Sequence, residues 1–183
     1  GAAPNFGLPL LYPFIQEDLD LSLTQVGLIT SSLGAGGLTT AFIGGWLADA
    51  VGVRRVMSLS LVLAGALLSL LSAGPVLPVI MGLAFLAGMA ITPEILAGIN
   101  AILGWVPRRA RGLAMSVRTA GGPLGGALIA GVLPPVAVAF GWGTGAVVLG
   151  SLIMLVGIVF WAFYRDSPRE SPPMPLFSLA IVR

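Results

Sequence analysis

Residues 45–57 read Gly-Trp-Leu-Ala-Asp-Ala-Val-Gly-Val-Arg-Arg-Val-Met and form a short charged segment between two long apolar stretches. Both stretches, 23–48 and 55–73, approach or exceed the length of about 20 apolar residues that a membrane-spanning helix needs. The segment between them carries Asp49, Arg54 and Arg55. It therefore predicts a tight polar turn that joins two membrane helices.

The composition of the whole chain agrees with this interpretation. Hydrophobic residues make up 57% of the 183 residues and charged residues only 9%, against roughly 25% charged residues in soluble domains. The mean hydropathy is +1.03. We therefore expect an all-α, multi-pass membrane protein whose main surroundings are the lipid bilayer.

The residue types that are missing exclude several kinds of chemistry. The chain has no Cys and no His, so disulfides, thiolate chemistry and the commonest general base and metal ligand are all absent. We expect no catalytic residue, no metal and no cofactor, and a membrane-embedded enzyme is a poor alternative because it would need a nucleophile with a base. The net charge of +2 gives no indication of a nucleic-acid partner.

Six membrane helices are predicted from the apolar stretches and the residues that interrupt them. The capping-box pattern Ser22-Leu-Thr-Gln25 marks the start of the second helix. Since the chain begins inside an apolar run, we expect a fragment with a truncated first helix, one bundle over 1–164 and the start of a cytoplasmic central linker at 165–183. The predicted helices are 1–16, 23–48, 55–73, 77–104, 111–133 and 142–164.

The arginine residues predict the orientation of the bundle. With the helices counted in this way, one side of the membrane carries Arg54, Arg55, Arg108, Arg109, Arg111, Arg165 and Arg169. The other side carries no arginine in its loops, only the acidic cluster at 17–20. By the positive-inside rule, the loops 49–55 and 105–111 and the segment after 164 are cytoplasmic. We expect a plasma-membrane protein, with the bacterial inner membrane as its location.

Two motifs resemble those of the major facilitator superfamily of membrane transporters. The first is the family's G-x-L-x-D-x-x-G-x-[RK]-x-x-[LM] loop, matched by Gly45, Leu47, Asp49, Gly52, Arg54 and Met57. The second, at 105–115, is similar to the W-[FV]-P-x-x-x-R-G-x-A-x segment that leads into the fifth helix of many bacterial members. The resemblance implies the amino-terminal six-helix bundle of a secondary active transporter that moves a small solute by alternating access. It also implies a missing carboxy-terminal bundle of the same polypeptide.

Two other functions of the same fold remain open, a drug–proton antiporter and a transport-inactive receptor or scaffold. Many drug exporters carry Arg-Phe-Leu-x-Gly in the fourth helix, where this chain has Ala-Phe-Leu-Ala-Gly at 84–88. Their fifth-helix pattern G-P-x-x-G-G appears one residue short at 122–126. These departures disfavour the antiporter, and charges buried in the membrane disfavour the scaffold.

The 45–57 segment has a conformational role by this resemblance, and we call it the gate loop. Asp49 ends a helix, where a negative charge opposes the macrodipole, so we expect Arg54 or Arg55 to pair with it. Gly52 is expected to adopt a positive φ, and Gly45 to allow close helix packing. In the family, this aspartate also engages a helix of the other bundle and favours the outward-facing state.

Only two charges fall well inside predicted spans, Glu94 in the fourth helix and Arg118 in the fifth. Charges buried in a membrane are costly and usually face a cavity or a partner. Since the two helices run antiparallel, we expect Glu94 and Arg118 to approach one another. A purely structural Glu–Arg pair between the helices is the plain alternative.

Prolines near these charges indicate a transport site. Pro93 precedes Glu94 and Pro123 follows Arg118, while Asn5 follows Pro4 near the middle of the first helix. Interrupted helices are tolerated where backbone lines a cavity, so we place Arg118, Glu94 and Asn5 in a substrate or coupling site. A guanidinium suits a carboxylate, which gives a weak preference for a small organic or inorganic anion as the solute. Alternatively, Glu94 carries a coupling proton or interacts with a coupling ion.

Overall fold

Six α-helices run back and forth through the part of the chain that the structure describes. The computed structural model describes residues 3–74 and 76–166, and at 3–6, 45 and 49 it describes the backbone alone. Of the predicted linker, residues beyond 166 lie outside the described part. The helices are α1 (Ala3–Asp18), α2 (Leu23–Val51), α3 (Val53–Leu70), α4 (Leu77–Trp105), α5 (Arg111–Phe140) and α6 (Trp142–Phe163). One short 3-10 turn, Leu71–Ala73, follows α3, and another, Arg108–Ala110, precedes α5.

Helices α2 to α6 are long and apolar enough to cross a membrane. The described part of α1 is also apolar but has 16 residues. A helix satisfies its backbone hydrogen bonds within itself, which is why helices can span a bilayer. The predicted fold class, an all-α membrane protein with six helices in one bundle, is confirmed.

The packing of the six helices follows an internal symmetry. Helix α1 packs on α5, α2 packs on α4, and α3 packs on α6. If α1, α2 and α3 are exchanged with α4, α5 and α6, the same set of pairs results. The first and second halves run in opposite directions, so the bundle has the form of an inverted repeat.

Two glycines at opposite ends of the bundle occupy equivalent places in this repeat. Gly52 alone separates α2 from α3, and Gly141 alone separates α5 from α6. Their dihedral angles are nearly the same, with φ 95° and ψ 144° at Gly52 and φ 83° and ψ 159° at Gly141. The positive φ that the sequence predicts at Gly52 is confirmed, and only glycine adopts such a conformation readily.

Glycines bring the backbones of α2 and α4 close together. A Cβ on Gly36 would meet the carbonyl oxygen of Phe85, and a Cβ on Gly88 would meet that of Leu33. Small residues are the usual means of close helix approach in membranes, where apolar burial gives little net attraction. These two glycines therefore determine how near α2 and α4 can lie.

A threonine on α2 repairs the interruption that proline makes in α4. Pro93 has no N–H, so the carbonyl of Met89, four residues earlier, lacks its helical donor. The Thr40 hydroxyl donates to that carbonyl at 3.0 Å. The proline is thus accommodated by a neighbouring helix, and the freed carbonyl is used in helix packing.

One predicted helix boundary is wrong. The fifth helix was expected to end at 133, before Pro134-Pro135, but α5 continues to Phe140. The two prolines leave the carbonyls of Ala130 and Gly131 without their helical donors. Proline inside a helix is better tolerated in membranes than in water. The other helix ends differ from the prediction by up to three residues, as at Val51.

The largest apolar core lies towards one end of the bundle, which we call the Asp18 end. It includes Leu11, Leu68, Ile80 and Leu149, each at most 1% exposed. At the same end, the indole Nε1 of Trp142 donates to the carboxylate of Asp18 at 2.7 Å. The opposite end, which we call the arginine end, has a smaller cluster of Ala48, Val56 and Ala97.

Replacing Gly88 with Ala should destabilise the protein by about 1–3 kcal/mol, because the new methyl group would force α2 and α4 apart. Gly82 on the same helix is the matched control, since a Cβ there would meet nothing within 4 Å. Thermal unfolding of both purified variants in detergent measures the difference. Equal unfolding temperatures for Gly88→Ala and Gly82→Ala would contradict the close α2–α4 packing.

Candidate functional site

Arg118 lies within the membrane-spanning part of α5 and reaches across to α4. It is the eighth residue of that helix, about 10 Å along the axis from Arg111 at a rise of about 1.5 Å per residue. Its Nη2 donates to the carbonyl oxygen of Ile95 at 2.8 Å. The guanidinium lies against Gly98, where a Cβ would be 2.8 Å from Nη2 and 3.0 Å from Nε. Because Gly98 has no Cβ, it leaves room for the Arg118 guanidinium.

Glu94 lies on the same part of α4 and is almost completely buried, with 3% of its surface exposed. The expected approach to Arg118 holds at the level of the helix turn, because Arg118 binds the carbonyl of the residue that follows Glu94. A direct pairing of the Glu94 carboxylate with the Arg118 guanidinium stays a prediction.

The third predicted site residue, Asn5, cannot be placed in the same detail. Its backbone belongs to α1, but its side chain lies outside the described part of the structure. The same is true of Pro4. The prediction that Asn5 joins Arg118 and Glu94 stays a prediction.

A groove of about 400 Å³ runs between α2 and α4. Small and hydroxylated residues line much of it. Ile95, whose carbonyl accepts from Arg118, also lines the groove. Its lining includes Thr30, Gly34, Gly37, Thr92 and Ile95. The lining is mainly apolar, and Thr30 and Thr92 contribute hydroxyl groups to it.

The gate loop is shorter than a loop in the usual sense. Helix α2 continues through Asp49 to Val51, and α3 begins at Val53, so Gly52 is the entire connection. The side chain of Asp49 and the surroundings of Gly45 lie outside the described part of the structure. The expected pairing of Asp49 with Arg54 or Arg55 and the packing role of Gly45 therefore stay predictions.

Arg54 has well-defined contacts, and they are made with the end of α6. Its Nε donates to the carbonyl oxygen of Trp161 at 2.8 Å, and its Cζ lies 4.7 Å from the centroid of the Trp161 ring. Its backbone N–H donates to Asp166 Oδ1, also at 2.8 Å. A cleft of about 360 Å³ is lined by Gly52, Arg55, Trp161 and Asp166 among others.

Neither partner of Arg54, Trp161 in α6 or Asp166 just after it, is predicted from the sequence. Trp161 has the position of an interfacial tryptophan, and Asp166 has that of a linker residue. The signal for Asp166 was present in the gate loop itself. A helix that starts directly after a glycine has no side chain at its N-cap, so another residue must satisfy its first N–H groups.

Arg111, from the second motif, has a similar role at the end of α4. Its Nη2 donates to the carbonyl of Leu103 at 2.8 Å, and its Nε donates to that of Val106 at 3.2 Å. The last carbonyls of a helix lack helical donors, and a cation also interacts favourably with this end of the dipole. Arg111 therefore terminates α4 and fixes the turn into α5.

Tyr164 follows α6 directly and stacks on Phe160, with ring centroids 4.5 Å apart and an interplanar angle of 16°. Burial raises the pKa of the Tyr164 hydroxyl above its ordinary value. The hydroxyl is therefore neutral at physiological pH, and the arginine end gains no negative charge from it.

These features together define a class of membrane protein. A bundle of spanning helices with inverted internal symmetry, a charged residue within a span and positively charged turns at one end is the architecture of a secondary transporter half. The family model described as Major Facilitator Superfamily matches residues 2–178. The chain belongs to this family, which consists of integral membrane transporters and not of enzymes.

Several curated transporters are similar in sequence. The hexuronate transporter of Bacillus subtilis is 35% identical over 174 residues, which cover 90% of this chain and 39% of that protein. The probable sulfoacetate transporter of Cupriavidus necator is 30% identical over 159 residues, covering 86% and 37%. The probable galactarate/D-glucarate transporter of Bacillus subtilis is 25% identical over 175 residues, covering 92% and 38%. The chain thus spans about two fifths of the length of these relatives.

Replacing Arg54 with Lys should lower the stability of the protein by about 1 kcal/mol, because an ammonium group cannot reproduce both the Nε hydrogen bond and the ring contact. The matched control is Arg55→Lys, since Arg55 is exposed and makes no such contact among the described residues. Unfolding temperatures in detergent compare the two variants. An Arg54→Lys protein as stable as Arg55→Lys would show that the Trp161 contacts contribute nothing.

Proposed function

We propose that this chain is the amino-terminal half of a secondary active transporter for a small anion, which works by alternating access between two helix bundles. The observation that carries the proposal is Arg118, a permanent positive charge within a membrane span. The carboxy-terminal bundle supplies the other wall of the site. The preferred solutes carry a carboxylate or a sulfonate.

The contacts of Arg118 support a role in binding over a purely structural one. A guanidinium has five N–H donors, and the described residues accept a hydrogen bond from one of its nitrogens, Nη2. Its acceptor, the Ile95 carbonyl, lies in the middle of a helix and already has a helical donor. The contact orients Arg118 without consuming its hydrogen-bonding capacity, so several donors remain for a carboxylate.

The names of the relatives support the same class of solute. A hexuronate, a sulfoacetate and a glucarate are all oxygen-rich anions, and relatives named for them share 25–35% of aligned residues with this chain. The hydroxyl groups of Thr30 and Thr92 in the α2–α4 groove suit the hydroxyls of such molecules. The choice among these anions depends on residues of the other bundle as well.

The proposed orientation places the arginine end in the cytoplasm of a bacterial inner membrane. It rests on the positive-inside rule, since the turns at 49–55 and 105–111 and the start of the segment after 164 carry the arginines. In this orientation the gate loop faces the cytoplasm. Asp49, Arg55 and Gly45 then belong to the conformational gate, while Arg118, Glu94 and Asn5 belong to the site.

Replacing Arg118 with Gln in the full-length protein should reduce kcat/KM for an anion by at least about thirtyfold, because a desolvated charge pair is lost. Uptake of D-glucuronate, D-glucarate and sulfoacetate into proteoliposomes measures it. Arg118→Lys should retain part of the activity, since it keeps the charge but not the bidentate geometry. Arg109→Gln, at the exposed turn before α5, is the control.

Wild-type rates with Arg118→Gln would remove Arg118 from the site. Transport of neutral or cationic solutes, with none of the three anions accepted, would contradict the substrate class. An Arg109→Gln loss as large as that of Arg118→Gln would instead indicate a general effect of positive charge.

We further propose that the buried Glu94 carries a coupling proton. Glu94→Gln should then abolish uphill uptake driven by a proton gradient but leave exchange of internal for external solute within about threefold, since exchange needs no net proton movement. Both assays use the same proteoliposomes. Uphill uptake that persists in Glu94→Gln would exclude this role for Glu94.

A further inference from the structure

Helix α3 begins at a position that cannot cap it. Its N-cap residue is Gly52, which has no side chain to accept from the first N–H groups of the helix. The residues that normally do this are Ser, Thr, Asp and Asn. At φ 95° none of them fits readily, because L side chains are strained in this region. The sharp turn from α2 into α3 therefore leaves the start of α3 in need of an acceptor from elsewhere.

Asp166 provides that acceptor from the far end of the chain. Its Oδ1 accepts from the backbone N–H of Arg54 at 2.8 Å, across 112 residues of sequence. Its Oδ2 lies 3.1 Å from the place where a Cβ on Gly52 would stand. A carboxylate at this point also interacts favourably with the positive end of the α3 dipole. Because Gly52 has no side chain, α3 needs a cap from another residue. The same absence leaves room for the Asp166 carboxylate.

Arg54 completes the connection in the other direction. Its backbone receives the cap from Asp166, while its side chain donates to the carbonyl of Trp161 in the last turn of α6. That carbonyl lies in the last turn of α6, where carbonyls have no N–H donor within the helix. The start of α3 and the end of α6 therefore satisfy each other's unpaired backbone groups through two residues, Arg54 and Asp166.

We propose that Asp166 is a positioning residue of the gate loop, and that the order of the α2–α3 junction depends on its carboxylate, which lies three residues after the end of α6. Loss of that carboxylate leaves the N–H of Arg54 without its acceptor. The first turn of α3 then loosens while the glycine-lined part of the bundle keeps its packing. The inference does not depend on which solute is transported.

Hydrogen–deuterium exchange of the full-length protein in lipid nanodiscs tests this inference. In Asp166→Ala, the amides of residues 53–56 should exchange at least about fivefold faster than in the wild type. This factor is the size expected for the loss of a typical N-cap side chain. Exchange at the Asp18 end, which lacks contact with Asp166, should not change. Arg165→Ala, which alters the neighbouring exposed residue, is the matched control and should leave 53–56 unchanged.

Asp166→Asn separates capping from general loss of structure, because its amide oxygen still accepts the hydrogen bond. It should raise exchange at 53–56 by less than Asp166→Ala does, by about twofold from the lost charge at the helix dipole. If Asp166→Ala yields no folded protein, an increase in Asp166→Asn confined to 53–56 supports the inference. Unchanged exchange at 53–56 in both variants, or an increase of similar size in all six helices, would overturn it.

Discussion

A polypeptide in a bilayer has no water with which to hydrogen-bond, so each backbone N–H and C=O must find a partner within the protein. Helices meet this requirement along their length but not at their ends or at prolines. Several contacts that join different helices lie at those places. Thr40 serves the carbonyl freed by Pro93, Arg111 serves the end of α4, and Asp166 serves the start of α3.

The same requirement separates the structural arginines from the candidate binding residue. Arg54 and Arg111 donate to carbonyls in the last turn of a helix or just beyond it, at the arginine end. Arg118 donates to a mid-helix carbonyl that does not need it. Its charge within the span has no comparable structural purpose among the described contacts, which is the physical reason for proposing that it binds solute. The proposed gate and the proposed site thus use one residue type in two different settings.

Much of this architecture follows from local sequence patterns. Apolar stretches of sufficient length predict the helices, Ser22 and Gln25 predict the capping box that starts α2, and a charged turn predicts a positive φ at Gly52. Long-range contacts are different, because no local pattern says which helix end Asp166 reaches. Pro134-Pro135 misleads for a related reason: in a membrane protein, groups distant in the sequence can satisfy the carbonyls that proline frees, and no local pattern shows this.

The junctions at Gly52 and Gly141 have a consequence for how this chain tolerates insertions and deletions. A single residue joins each pair of helices, so adding or removing one there would turn the following helix by about 100° around its axis. Gly150 and Gly157 of α6 would then no longer face α3. The connection from α3 to α4 is longer and includes the 3-10 turn Leu71–Ala73. Length variation among related chains should therefore gather between α3 and α4, and the spacing from α2 to α3 and from α5 to α6 should stay constant.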